Sequence, residues 1–225
     1  MIARGIERRK IFIDADDYSD FLARLEAALE RTGGKCLAWC LMPNHFHLLI
    51  LRTRRPLSEL MRRLMPGYAV AFNIRHRRTG HLFQNRYKGI LCEQEEYLRE
   101  LVAYIHLNPL RANLARDIDG LGKYRWCGHG ALLGRDKPGF LDRDYILSHF
   151  GDTGKQAVLN YKGLIRDRRD KYKGGEYSGG GLIKSLGGLT NALGLRRAGE
   201  KELFDDRILG SGDFVEAILK GVEEP

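Results

Sequence analysis

Long apolar runs are missing from this chain of 225 residues: none approaches the ~18 consecutive apolar side chains that a bilayer-spanning helix needs. The opening Met-Ile-Ala-Arg-Gly is no signal peptide, so the expected compartment is the cytoplasm. Cysteine is scarce as well. The four thiols, at positions 36, 40, 92 and 127, fit reduced, buried side chains in that compartment. Acidic residues all but vanish from one stretch: between Arg52 and Lys88 only Glu59 stands against ten basic residues. That window carries +9, as much as the whole chain, so the remainder is close to balanced. Nine of the ten are arginine (Arg52, Arg54, Arg55, Arg62, Arg63, Arg75, Arg77, Arg78 and Arg86, with Lys88 the tenth). The planar guanidinium fork suits phosphate, which points to nucleic acid, with a merely solvated face as the plain alternative. At 43% hydrophobic the chain is neither disordered by composition nor membrane-like, and its length allows one sizeable core with a small appendage.

Within this background, Leu41-Met-Pro-Asn-His-Phe-His-Leu-Leu-Ile50 stands out. Residues two apart on a strand share a face, so His45 and His47 project together while Phe46 points the other way, into a core. Two imidazoles side by side on a rigid strand make a bidentate metal site that lacks only a third ligand. The plain alternative is a pair of polar residues on a wet strand face. A zinc site built from Cys36, Cys40, His45 and His47 is a weaker reading, because Cys-x3-Cys lies at the loose end of zinc spacings and Cys36, Ala38 and Cys40 alternate like a core face.

A second segment, Glu96-Tyr-Leu-Arg-Glu-Leu-Val-Ala-Tyr-Ile-His-Leu-Asn-Pro109, repeats apolar residues at helical spacing through Leu98, Leu101, Val102 and Ile105. Tyr104 and Asn108 are four apart on one face of that helix, and Pro109 marks its end. A phenol beside a polarised phosphate is a nucleophile, and an amide oxygen is a suitable hard ligand for Mg²⁺ or Mn²⁺. Histidines on a strand with a tyrosine and an amide on a facing helix would form a metal-assisted phosphoryl-transfer site. Tyr97, two turns before Tyr104, and Tyr87, on a predicted strand beside basic residues, compete for the nucleophile's role. His106 falls on a different helix face and reads as structural or as a phosphate contact.

The phrases Trp39-Cys-Leu-Met-Pro-Asn-His-Phe-His-Leu-Leu, Gly80-His-Leu-Phe-Gln-Asn-Arg-Tyr-Lys and Tyr104-Ile-His-Leu-Asn-Pro-Leu-Arg-Ala closely resemble the single-tyrosine HUH transposases. The nearest branch is similar to the REP-associated tyrosine transposases, and the likeness runs from about Met1 to Phe150, through Tyr124-Arg-Trp-Cys-Gly-His129. The resemblance implies His45 and His47 as metal ligands, Tyr104 as nucleophile and Asn108 as third ligand, although some relatives carry glutamine at that place. It implies cutting and rejoining of single-stranded or hairpin DNA through a 5′-phosphotyrosine intermediate with Mg²⁺ or Mn²⁺, in a nucleoid-associated monomer or homodimer. The basic set Arg52, Arg54, Arg62, Arg63, Arg75, Arg77, Arg78, Arg86 and Lys88 would then follow the DNA backbone. Two alternatives come from other classes: a non-catalytic single-stranded nucleic-acid-binding module on the same fold, and a metal-dependent hydrolase in which Tyr104 is structural.

The expected elements are a short strand within residues 1–13, a helix from Asp14 to Thr32 closed by Gly33-Gly34, strands Lys35–Leu41 and His45–Leu51, and a helix from Pro56 to about Arg78, kinked at Pro66-Gly67. A loop at Gly80–Gln84, a strand at Tyr87–Cys92 and the tyrosine helix Glu93–Leu107 follow. Relatives carry a longer first strand, so Met1 is expected to begin partway into it. The order strand, helix, strand, strand, helix, strand predicts an α+β fold: a ferredoxin-like antiparallel sheet with helices on one face, the tyrosine helix enclosing the metal site against the other. Residues 1–150 form this domain. Residues 151–225 form a small, mainly helical extension, with a helix at Tyr161–Lys173, a linker at Gly174–Gly181 and a last helix between Glu200 and Lys220.

Overall fold

The computed structural model describes residues 1–51, 55–92, 94–171 and 208–209. Strands β1 (Ile2–Arg4), β2 (Lys35–Met42) and β3 (His45–Leu51) form an antiparallel sheet in the order β1-β3-β2. β2 and β3 are joined through Pro43 and Asn44, and their side chains alternate because the strand period is two. Opposite residues share a face, so the register Ile2↔His47↔Cys40 and Arg4↔His45↔Met42 collects both histidines on one side. Ala3↔Phe46↔Leu41 lie on the other.

Helix α1 (Ala15–Thr32) starts where the sequence signals it. The Asp14 carboxylate accepts from the N–H groups of Asp16 and Asp17 at 3.1 and 3.2 Å, and Asp17 reciprocates in a capping box. Gly33, at φ 68°, closes the helix in the left-handed region that glycine enters without strain. Helix α2 (Leu57–Arg75) runs on through Pro66 and ends three residues before the expected Arg78. Tyr68 and Phe72 of α2, Phe21 and Leu25 of α1, and Phe46 and Leu48 of β3 share one buried cluster, which places both helices on the Phe46 face. Tyr68 also donates its hydroxyl hydrogen to the Ile11 carbonyl. The aromatic rings Phe21, Phe46 and Tyr68 pack tilted or edge-to-face, the arrangement ring quadrupoles favour.

The opposite face is covered by α3 (Gln94–His106), α4 (Asn108–Arg111) and α8 (Gly154–Lys171), with α5 (Ile118–Lys123), α6 (His129–Leu132) and α7 (Arg143–Ser148) between them in sequence. Cys40, Met42, Tyr104, Leu132, Ile146, Tyr161 and Ile165 belong to this second buried cluster. Residues 157–165 therefore share a core with the tyrosine helix. Arg168 reinforces the contact with a two-pronged ion pair to Glu100, at 2.8 and 2.6 Å. Gly128 threads a crowded point here: a Cβ would sit 2.7 Å from His106 Nε2 and 2.9 Å from the Trp39 ring, so no larger residue fits without displacement.

Three expectations need correction. The strand predicted at Tyr87–Cys92 is not continuous: residues 82–88 run beside β1 through isolated bridges, Gly5↔Phe83 and Ile2↔Lys88, and only Leu91–Cys92 is a strand, β4. β4 pairs in parallel with β5 (Ile208–Leu209), two residues that fall inside the predicted last helix. Helix α8 begins at Gly154, seven residues before the predicted Tyr161. The linker predicted at Gly174–Gly181 and the rest of the predicted last helix lie outside the described residues. No helix among the described residues is long and apolar enough to cross a membrane.

Candidate active site

β3 and α3 bring the two sequence motifs together. The rings of His45 and His47 lie 5.0 Å apart, and the Tyr104 ring stands edge-on to His47 at 6.1 Å. His47 and Tyr104 line one cavity of about 30 Å³, closed by Met1, Ile2, Ile90 and Cys92. That volume holds about one or two waters. Tyr104 is 1% exposed and His47 1% exposed, so both belong to the interior as the chain stands.

The imidazoles are held neutral. Burial, and then the nearby Arg4 charge, push His45 down to about 4. Burial acts most strongly on His47 and holds it well below the usual histidine range, with the charge of His45 next. Neutral rings keep a lone pair for a cation at physiological pH. The His45 Nδ1 lies 2.6 Å from the Asn44 amide oxygen. An amide oxygen only accepts, so Nδ1 carries the proton and Nε2 keeps the lone pair. His47 Nε2 is buried with no hydrogen-bond partner among the described residues. His106 Nε2 and His129 Nε2 share that condition, so what fits His47 to a cation is its place beside His45 and the cavity it shares with Tyr104.

Asn108 opens α4 and folds back onto α3, where its Nδ2 donates to the carbonyls of Tyr104 and Ile105 at 3.0 and 3.1 Å. With both amide protons committed to backbone, the amide oxygen is the atom left for a cation. Pro109 falls in the first turn of α4, where a missing N–H costs nothing. Arg111, one turn further, places its guanidinium carbon 4.6 Å over the Tyr104 ring and donates from Nη1 to the Tyr104 carbonyl at 3.3 Å.

Most of the predicted DNA-contacting residues among the described ones lie away from this cavity. Arg62, Arg63 and Arg75 lie on α2 and Arg77 and Arg78 just beyond it, and α2 packs on the Phe46 face of the sheet. Arg75 is engaged by Asp14, Asp16 and Asp17 at 2.7–2.8 Å. Arg55 pairs with Glu59 at 2.9 Å, and Arg78 lies 5.7 Å over the Phe72 ring. Arg62, Arg63, Arg77, Arg86 and Lys88 are exposed, Lys88 beside β1 through its bridge to Ile2. Arg52 and Arg54 lie outside the described residues. Arg4, whose charge acts on both histidines, and Arg111, over the Tyr104 ring, both stand outside the charge window.

Tyr97, the competing tyrosine on α3, is half-buried and packs against the same core as Tyr104 without lining the cavity. His106 and His129, both fully buried, approach the Tyr161 hydroxyl through Nδ1 at 2.8 and 2.6 Å. Asp14, Asp17 and His76 also bring three potential ligand atoms within 4.8 Å of one another. Arg75 bonds Asp14, Asp16 and Asp17 at 2.7–2.8 Å and His76 Nε2 bonds Asp17 at 2.9 Å, so these contacts tie α1 to α2.

Residues 1–108 match the protein family described as "Transposase IS200 like". The matched stretch contains both histidines, Tyr104 and Asn108, and ends at Asn108. No curated protein and no solved structure matches the chain.

Proposed function

We propose that this chain is a DNA strand transferase, a single-tyrosine transposase of the REP-associated type, acting on single-stranded or hairpin DNA. The observation that carries the reading is the shared cavity in which the His47 ring stands 6.1 Å from the Tyr104 ring, behind a second histidine 5.0 Å away. The family match over residues 1–108 supports the same chemistry.

His45, His47 and Asn108 would hold the divalent cation, Mg²⁺ or Mn²⁺. When bound there it would act as a Lewis acid on a non-bridging phosphate oxygen. The chain's own residues do the rest. Tyr104 Oη attacks phosphorus and forms the phosphotyrosine bond; the bond from phosphorus to the 3′-oxygen breaks, and that oxygen takes up a proton as the phenol gives one up. Phosphodiester replaces phosphodiester, so the free 3′-hydroxyl of the same or another strand can reverse the step with no external energy source. Asn44 fixes the His45 tautomer and Asn108 fastens the end of α3, so both orient groups that touch the reaction. Because Tyr104 is buried, the incoming strand has to displace part of the wall formed by Met1, Ile2, Ile90 and Cys92. The exposed Arg62, Arg63, Arg77, Arg86 and Lys88 would hold the flanking backbone at a distance from the chemistry.

That burial also favours a second reading, a single-stranded nucleic-acid-binding module with no covalent step. One experiment separates the two. Labelled single-stranded oligonucleotides carrying hairpins are incubated with the protein and Mg²⁺ or Mn²⁺, then denatured. The transferase reading predicts a denaturation-resistant protein–DNA adduct that a chelator prevents. Binding of the same oligonucleotides with no adduct under either metal would leave the binding module.

A further inference from the structure

Arg111 grips Tyr104 at two points. Its guanidinium lies over the ring, 4.6 Å from the centroid, and its Nη1 reaches the Tyr104 carbonyl at 3.3 Å. The same carbonyl accepts from Asn108 Nδ2 at 3.0 Å. It belongs to the last turn of α3, where carbonyls have no partner further along the helix. Fastening that turn fixes the backbone from which the phenol projects, and a flat cation over the ring then restricts the ring itself. The short α4 is what makes this possible: the chain restarts as a helix at Asn108 and turns Arg111 back over residue 104.

We propose that Arg111 is a positioning residue for the tyrosine nucleophile, holding the phenol edge-on to His47. The inference rests on the transferase reading of Tyr104. A guanidinium over the ring face is attracted by the ring's electron cloud, so the stack holds the ring in place.

The test compares Arg111→Gln, Arg111→Lys and the parent protein by single-turnover adduct formation, with DNA and metal saturating, beside DNA-binding isotherms and melting temperatures. Loss of the stack should slow Arg111→Gln by about ten- to thirtyfold. Arg111→Lys, which keeps the charge but loses the flat stack, should recover only part of that rate. DNA affinity and melting temperature should stay near the parent's in both variants, which loss of a residue that only supports the fold would not allow. An Arg111→Gln protein with the parent's rate, or variants whose slowing is matched by an equal loss of DNA affinity or of melting temperature, overturns the proposal. If the parent protein itself forms no adduct, the transferase reading fails first, and this inference fails with it.

Discussion

Two pairs of imidazoles sit on the α3 side of the sheet and look alike by residue type alone. His45 and His47 stand 5.0 Å apart on β3, and His106 and His129 stand 6.3 Å apart between α3 and α6. All four are held below the ordinary histidine range, mainly by burial. Their surroundings differ. The second pair converges on the Tyr161 hydroxyl, which has one proton, so it donates to one ring and accepts from the other. Gly128 and Trp39 close the space around His106. The first pair shares no such bridge, and His47 borders a cavity with Tyr104. Burial and a lowered basicity therefore do not mark chemistry by themselves. A neighbouring space and an adjacent nucleophile do.

The largest expected effect breaks this comparison from the chemical side. His47→Ala or His45→Ala should abolish adduct formation. The loss should exceed the roughly 10–100-fold that follows removal of a group merely supporting a metal ligand. DNA affinity should move little, because phosphate contacts elsewhere position the strand. Adduct yield measured beside binding isotherms checks both halves. A His47→Ala protein that cleaves normally would move the first pair into the same structural class as the second.

Phe46 sharpens the contrast on β3 itself. It is fully buried among Phe21 and Phe83, on the face away from the histidines. Phe46→Ala should cost about 3–5 kcal/mol of folding stability, from lost burial and the cavity left behind. Denaturant unfolding gives the number. A variant as stable as the parent would mean the strand faces are reversed.

The smallest effect probes the second pair. His129 is pushed down to about 4 by burial, with Arg135 and Lys162 adding to it. In the unfolded chain an imidazole titrates near ~6.5. Between those values the unfolded chain binds a proton that the folded chain refuses, so stability falls as pH drops from about 6.5 towards 4 and levels off below. At pH 4.5 the penalty from this one residue should be about 2–3 kcal/mol relative to neutral pH. His129→Gln, which can still bond the Tyr161 hydroxyl but does not titrate, should show a flatter stability profile over that range. Equal slopes for the two proteins would remove the buried neutral ring from the account.

Much of this arrangement is readable from local pattern. The Gly33 stop and the alternation through His45, Phe46 and His47 are short-range signals, and β3 and α1 follow them closely. What was not readable depends on distant partners. Residues 82–88 take their place beside β1 through scattered bridges, so no run of alternating side chains announces a strand there. The start of α8 is an exception: Ala157 and Val158 join Tyr161, Leu164 and Ile165 at helical spacing, so its early turns are readable from local pattern. The basic window is a sequence neighbourhood whose described helical part, α2, packs on the face opposite the histidines. Arg111 was hidden for a related reason: the helix breaks after His106, so a spacing of seven from Tyr104 reports no shared face.

The central claim is that the phenol of Tyr104, and not another tyrosine, becomes joined to DNA. Protease digestion of the denatured adduct, followed by mass spectrometry of the nucleotide-bearing peptide, tests it at single-residue level. The account predicts a nucleotide phosphate on Tyr104 and no adduct from the Tyr104→Phe protein. A nucleotide mass on Tyr97 or Tyr87, or an adduct that persists in Tyr104→Phe, would contradict it.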